Sequence, residues 1–345
     1  MPSLVAAVVQ CGSVYNDTPA TIAKMRSLAK KCKQDNERVQ LVVFPEAFIG
    51  GYPKFSTFGV RVGARSDSGR QEYVQYHKNS ISTSGDEMKQ IEAIARELEI
   101  FIVSGFIEKE GGTLYCSVGF VDPKKGLVYS RRKLMPTAGE RLIWGFGTES
   151  DTKVVKASFD VSPSTTSSPK DASNTTVSAN GANGNDANVT AKEEITLSSA
   201  ICWENMMPLF RSHYYQQGTQ IHCIPTVDGR DNWEVVCRMI AMEGRCFVLN
   251  ACQFSQQKDF PNDHPVEQDG VRDPEAIMIR GGSCIVSPMG EVLAGPLRGE
   301  EGILTAELDL DLIIAGKFDL DVVGHYSRPD LFKLISPAAK QAKMG

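Results

Sequence analysis

The stretch SSAICWENMMPLFR, residues 198–211, places Cys202 where an apolar run ends and a turn toward a helix begins. Backbone N–H groups at such a turn, together with a helix dipole, favour a thiolate. They can also hold the anion formed when a thiolate attacks an electrophile. Polar and bulky neighbours, Trp203, Glu204 and Asn205, set Cys202 apart from the other cysteines. Cys32 lies on a helix face, and Cys116, Cys223, Cys246 and Cys284 lie in apolar strands, the ordinary setting of a small core residue.

A nucleophilic thiol needs a base. None of His77, His213, His222, His264 and His325 has a spacing that marks it as the partner. A carboxylate can serve instead if its site excludes water and raises its proton affinity. LVVFPEAFIGGYP (41–53) offers Glu46 directly after an apolar strand, where ligand-facing residues of α/β proteins collect. YSRRKLMPTAGERLIWGFG (129–147) adds Lys133 beside a turn-rich stretch and Glu140 seven residues later. Each of these charges, taken singly, also fits a solvated surface position.

The elements that must carry these residues alternate in type. VAAVVQ (5–10) has the length and continuity of a buried strand, and it leads into a helix over 18–33 with Ile22, Met25, Leu28, Ala29 and Cys32 at helical spacing. Thr18-Pro19 marks its start. A second strand is read at 41–45 and a second helix at 84–99, where Ser84 and Glu87 have the spacing of a capping box. Strands at 100–106 and 114–121 flank a Gly111-Gly112 turn and form a hairpin. Further strands are read at 127–131, 153–160, 195–201, 221–225, 246–251, 283–287 and 302–308. Helices are read at 205–217, stopped by Gly218, and from Asp231 onward. Strands facing helices, partly parallel and partly hairpin-linked, imply a layered α/β fold with helices outside.

Residues 162–190 break this pattern, being almost entirely Ser, Thr, Asn, Ala, Gly, Pro and Asp. Such a segment buries too little apolar surface to offset its ordering entropy and is expected to be disordered. A long insertion at a hairpin tip is the preferred reading over an interdomain linker or regulatory tail, because closing a longer loop costs little extra.

With 345 residues and 41% hydrophobic content, the chain can bury a large core as one domain or two. A formal net charge of −5 gives no support for binding nucleic acid or an anionic membrane. No apolar run reaches the roughly 18–20 residues of a membrane span. The N-terminal MPSLVAAVVQCG is too short and uncharged for a signal peptide. Nine cysteines, odd in number and without a Cys-x-x-Cys pair, argue against a disulfide framework and a zinc site. A cytoplasmic protein with reduced thiols is expected.

In chain order, FPEAFIGGYPKF, RRKLMPTAGERLIWGFG and AICWENMMPLFR resemble the three catalytic blocks of the nitrilase superfamily of carbon–nitrogen hydrolases. Trp-Glu-Asn after the cysteine is similar to the true nitrilase branch, since amidase relatives usually carry Tyr-Asp there. GHYSRPDLF (324–332) resembles the C-terminal nitrilase motif. The resemblance runs from about residue 5 to about 335 and implies a single domain over 1–345, a four-layer αββα sandwich interrupted at about 162–190. It implies Cys202 as nucleophile, Glu46 as general base, Lys133 as the cation that stabilises the tetrahedral intermediate, and Glu140 as the second glutamate that positions lysine or substrate. It also implies no metal or organic cofactor, and assembly into a homodimer or larger homo-oligomer through helices around the nucleophile.

The implied reaction takes a small-molecule nitrile to its carboxylic acid and ammonia through a cysteine thioimidate and thioester. Release of the amide, amidase activity, and a silent scaffold or thiol redox sensor are the alternatives. Tyr52, Trp144 and Trp203 are candidate substrate contacts, with Phe55 and Phe146 nearby. An apolar or aromatic substrate and simple core packing both account for these rings.

Overall fold

The computed structural model describes residues 2–163, 191–266 and 271–335. Among the described residues, thirteen strands form two sheets that are hydrogen-bonded to each other at one short contact. The first sheet runs β13 (Gly302–Asp309), β1 (Pro2–Gln10), β2 (Val39–Val43), β3 (Phe101–Glu110), β4 (Thr113–Asp122), β5 (Gly126–Arg132). The second runs β6 (Val155–Pro163), β7 (Ala191–Ser199), β8 (Ile221–Thr226), β9 (Phe247–Cys252), β11 (Ile277–Val286), with β10 (Phe254–Gln256) and β12 (Val292–Arg298) both paired to β11. Each sheet has a parallel centre, β1–β2–β3 in one and β7–β8–β9 in the other. Two residue pairs, Pro2 with Pro163 and Ser3 with Ser162, join β1 to β6.

The alternation within β1 shows how the layers form. Leu4, Ala6 and Val8 enter a core shared with Leu197, Ile221, Phe247 and Leu249 of the second sheet. Val5, Ala7 and Val9 enter another core with α1 (Thr18–Asp35) and α3 (Asp86–Leu98). A strand covered on both faces reads as a continuous apolar run, as 5–10 does. On the far side, Trp233, Cys237 and Ile240 of α5 (Asn232–Gly244) pack on Ile224, Val248 and Cys284, while Phe210 and Tyr214 of α4 (Pro208–Gln216) pack on Ala200. The order of layers is helix, sheet, sheet, helix: the αββα sandwich.

Several local readings change. The Ser84–Glu87 capping box does not form; α3 begins at Asp86 behind Gly85, which makes no side-chain cap bond. The segment read as one helix over 205–217 is a 3₁₀ turn, Cys202–Met206, followed by α4. Pro208 explains the break, because a proline disfavours helical backbone at the residue before it. Helices α2 (Asp67–Lys78) and α6 (Asp311–Asp319) and strands β10 and β12 were not anticipated. β6 and β7 pair antiparallel up to Val161 opposite Ala191. Residues 164–190, most of the segment expected to be disordered, lie outside the described residues. Among the described residues, no helix is long and apolar enough to cross a membrane.

Candidate active site

Glu46, Cys202 and Thr226 follow or end parallel strands at their C-terminal edges, the position where α/β sheets present ligand-facing groups. After β2 the chain stays bonded to β3 while it carries Glu46: Phe44 N–H donates to Val103 O and Gly105 N–H to Pro45 O. Gly105 is required there. A Cβ on it would sit 2.4 Å from Pro45 O and 2.6 Å from Glu46 Cα. Gln253 holds the same segment from the second sheet, its Nε2 donating to Glu46 O at 2.7 Å.

Lys133 follows β5 directly. Its N–H donates to Cys116 O at 2.7 Å and its carbonyl accepts from Gly147 N–H at 2.8 Å. The fully buried ammonium donates to Glu46 Oε1 at 2.7 Å and to Glu140 Oε2 at 2.8 Å. Glu140 lies in a 3₁₀ turn, Ala138–Leu142, where its Oε2 also caps Thr137 N–H and its Oε1 accepts from the Tyr52 hydroxyl at 3.0 Å. Two carboxylates thus share one cation away from water.

Cys202 opens its 3₁₀ turn at φ +51°, in the left-handed region that costs a non-glycine residue about 1–3 kcal/mol. Asn205 Nδ2 stabilises the turn by donating to the carbonyls of Ala200 and Cys202, both at 2.8 Å. The Thr226 hydroxyl donates to Cys202 Sγ at 3.2 Å. Asp228 N–H donates to the same hydroxyl oxygen at 3.0 Å, which leaves the hydroxyl hydrogen for the sulfur.

The electrostatics separate the roles of these groups. Burial raises the Glu46 carboxyl; Lys133 pulls it back and Glu140 pushes it up again, leaving it at about 7. Burial works against the charge of Lys133, but Glu46 and Glu140 outweigh it and hold the ammonium well above its usual value. The Cys202 thiol is pushed well up by burial and then by the Glu46 carboxylate. The thiolate expected from a helix terminus is therefore not the resting form. Cys202 starts a single 3₁₀ turn, and the charge that acts on it most strongly is the Glu46 carboxylate.

All four expected polar residues, Glu46, Lys133, Glu140 and Cys202, meet at this place. Tyr52 and Trp144 join them: the rings pack edge to face at 5.7 Å, and Lys133 Nζ lies 5.8 Å from the Trp144 ring. Trp203 does not. It is 43% exposed, donates to Asp228 Oδ2 at 2.8 Å and carries Arg230 over its ring. Phe146 and Phe55 are also exposed.

Cys116, read as a core residue, donates through Sγ to Glu46 Oε1 at 3.6 Å. Gln253, Thr226 and the buried Asn205–His222–Ser198 chain were not anticipated as parts of the site. Strand parity assigns Cys116 to the inter-sheet core but says nothing of the carboxylate opposite. All nine cysteines are free and buried. Among the described residues, no three His, Cys, Asp or Glu side chains group so as to hold a metal.

Residues 5–318 match the carbon–nitrogen hydrolase family. The chain is 50% identical to an arylacetonitrilase of Trametes versicolor, with 97% of each chain covered. It is 42% identical to a bifunctional nitrilase/nitrile hydratase of Nicotiana tabacum, covering 97% of this chain and 86% of that one. The crystal structure of Saccharomyces cerevisiae Nit3, a member of branch 10 of the nitrilase superfamily, has the same fold, with TM-score 0.65 at 16% identity over 95% of this chain and 97% of that one. The protein belongs to the carbon–nitrogen hydrolase family, in its nitrilase branch.

Proposed function

We propose that the protein is a nitrilase that hydrolyses an organic nitrile to its carboxylic acid and ammonia. The observation that carries this reading is the buried Glu46–Lys133–Glu140 set beside the Cys202 thiol, in a chain half identical to an arylacetonitrilase. Glu46, poised near neutrality, takes the Cys202 proton as sulfur attacks the nitrile carbon, and the nitrogen is protonated to give a thioimidate. Water deprotonated by Glu46 adds to that carbon, Lys133 stabilises the developing charge, and ammonia leaves. A second water releases the acid from the thioester. The sum is R–CN + 2 H₂O → R–COOH + NH₃. Glu140 orients Lys133 and, through Tyr52, the substrate side of the site.

Tyr52 and Trp144 present an aromatic wall beside Lys133, which supports an arylaliphatic R group as the preferred substrate class. Trp203, exposed and bonded to Asp228, is not part of this wall. Incubation with arylacetonitriles and short aliphatic nitriles, with acid, amide and ammonia all measured, tests the reading. One equivalent each of acid and ammonia is expected, with the arylacetonitrile turned over fastest. Amide as the dominant product from every substrate would overturn it.

We infer further that the chain is one domain with an insertion at about 162–190, that it works in the cytoplasm, and that it forms at least a homodimer. Free buried thiols suit a reducing compartment. The exposed Met206, Met207 and Leu209 beside the nucleophile turn, with Val235, Met239 and Met242 of α5, supply apolar surface for association. Light scattering on the active enzyme should give a dimer or larger species; an active monomer would end this reading.

A further inference from the structure

We propose that Cys116 is a positioning residue of this site: its thiol and Lys133 pin one oxygen of Glu46, so that the other, Oε2, is the atom that takes and returns protons. The proposal rests on the nitrilase reading. The two oxygens of Glu46 are in unlike surroundings. Oε1 accepts from Lys133 Nζ at 2.7 Å and from Cys116 Sγ at 3.6 Å, whereas Oε2 is buried with no donor in hydrogen-bond geometry, and the Cys202 thiol lies close enough to Glu46 to favour its charged form. A buried carboxylate oxygen without a donor is costly, and it persists where its lone pairs are needed for chemistry.

A carboxylate is symmetric, so the distinction must come from its donors. Lys133 alone is shared with Glu140 and sits at the end of a flexible stem. Cys116 is rigid by comparison. It lies within β4, between β3 and β5, opposite Ile107, and is fully buried. Its carbonyl also accepts the Lys133 N–H at 2.7 Å. One residue therefore sets both the backbone position of the lysine and the orientation of the glutamate. Burial and the adjacent Glu46 charge hold the Cys116 thiol well above its usual value, so it remains protonated and a donor. Its sulfur forms no bond with substrate.

Cys116→Val removes the donor at similar volume, and Cys116→Ser keeps a donor of a different kind. Steady-state kcat and KM, the acid-to-amide ratio, thermal stability, and the rate of Cys202 alkylation by iodoacetamide against pH are measured for both. Losing one hydrogen bond to the base should lower kcat roughly tenfold in Cys116→Val, leave KM within about twofold, raise the amide share and slow alkylation. Cys116→Ser should recover most of each. If Cys116→Val does not fold, Cys116→Ala gives the same comparison. Wild-type kcat, product ratio and alkylation profile in a folded donor-free variant would overturn the proposal, as would a serine variant as impaired as valine. The alkylation profile needs no nitrile, so it still decides the role of Cys116 if the wild-type enzyme releases no ammonia and the nitrilase reading itself fails.

Discussion

Arg131 and Glu204 form a forked ion pair in the interior, Nη1 to Oε2 at 2.6 Å and Nη2 to Oε1 at 2.7 Å, with both side chains completely buried. Arg131 stands two residues before Lys133, and Glu204 two residues after Cys202. Glu204 also accepts the N–H groups of Ile201 and Leu134, and Arg131 donates to the carbonyls of Ser199 and Asp151. The pair fastens the Lys133 segment to the Cys202 turn. Burial opposes the Arg131 charge, but Glu204 more than compensates and keeps the guanidinium firmly protonated.

Removing one partner leaves the other charge buried and alone. Glu204→Gln is expected to cost about 3–5 kcal/mol of stability, measured by urea denaturation, and to lower kcat by loosening both Lys133 and Cys202. The double replacement Arg131→Met/Glu204→Leu should cost less than the sum of the single changes. Strict additivity would show that the two groups do not act as a pair.

Turnover should vanish in Cys202→Ala, since no other group forms the thioimidate. Glu46→Gln should lose the roughly 10²–10⁴-fold typical of a general base. Lys133→Met should be comparably impaired with its fold intact by circular dichroism. Near-normal ammonia release from any of the three would reassign that residue.

The pH dependence follows from Glu46, whose carboxyl sits at about 7. The active form is ionised, so kcat/KM should rise as pH rises through about 7 and then level off. Glu140→Gln removes a neighbouring negative charge that raises this value, and should move the rising limb to lower pH. An unmoved or upward-moved limb would contradict the electrostatic account.

His222 ties acid stability to the Cys202 turn. Its Nε2 meets Asn205 Oδ1 at 2.8 Å and its Nδ1 meets Ser198 Oγ at 2.7 Å. Burial, with the charges of Arg131 and Arg211, lowers it from 6.5 to about 3, so the folded imidazole is neutral. The unfolded chain binds this proton as pH falls through about 6.5 and the native chain does not, so stability is lost progressively between about 6.5 and 3. Urea midpoints from pH 7.5 to 5 should fall with acidity, and His222→Gln should flatten that slope although His213 and His264, also lowered, leave a residue of it. An identical slope in the variant would exclude His222 as the source.

Local pattern carried much of the fold and the reacting groups. A continuous apolar run announces a strand buried on both faces, as in β1, and helical spacing identifies α1 and α3, because periodicity is a property of neighbours in the chain. Glu46, Lys133, Glu140 and Cys202 stand in long ordered blocks and were legible for that reason. Their mutual distances were not. The surroundings of each side chain depend on partners far away in sequence: Cys116 of β4 reaches Glu46 across β3, Gln253 reaches it from the other sheet, and Thr226 reaches Cys202 from a neighbouring strand. The protonation states were decided in the same way. A turn after a strand suggests a thiolate, yet the packed sheets remove water and set a carboxylate beside the thiol, so Cys202 rests protonated and the Glu46 carboxyl is raised to about 7. Residue type and order determined which groups are candidates for the chemistry; desolvation and long-range contacts, which exist only once the two sheets close on each other, decided which proton each one holds.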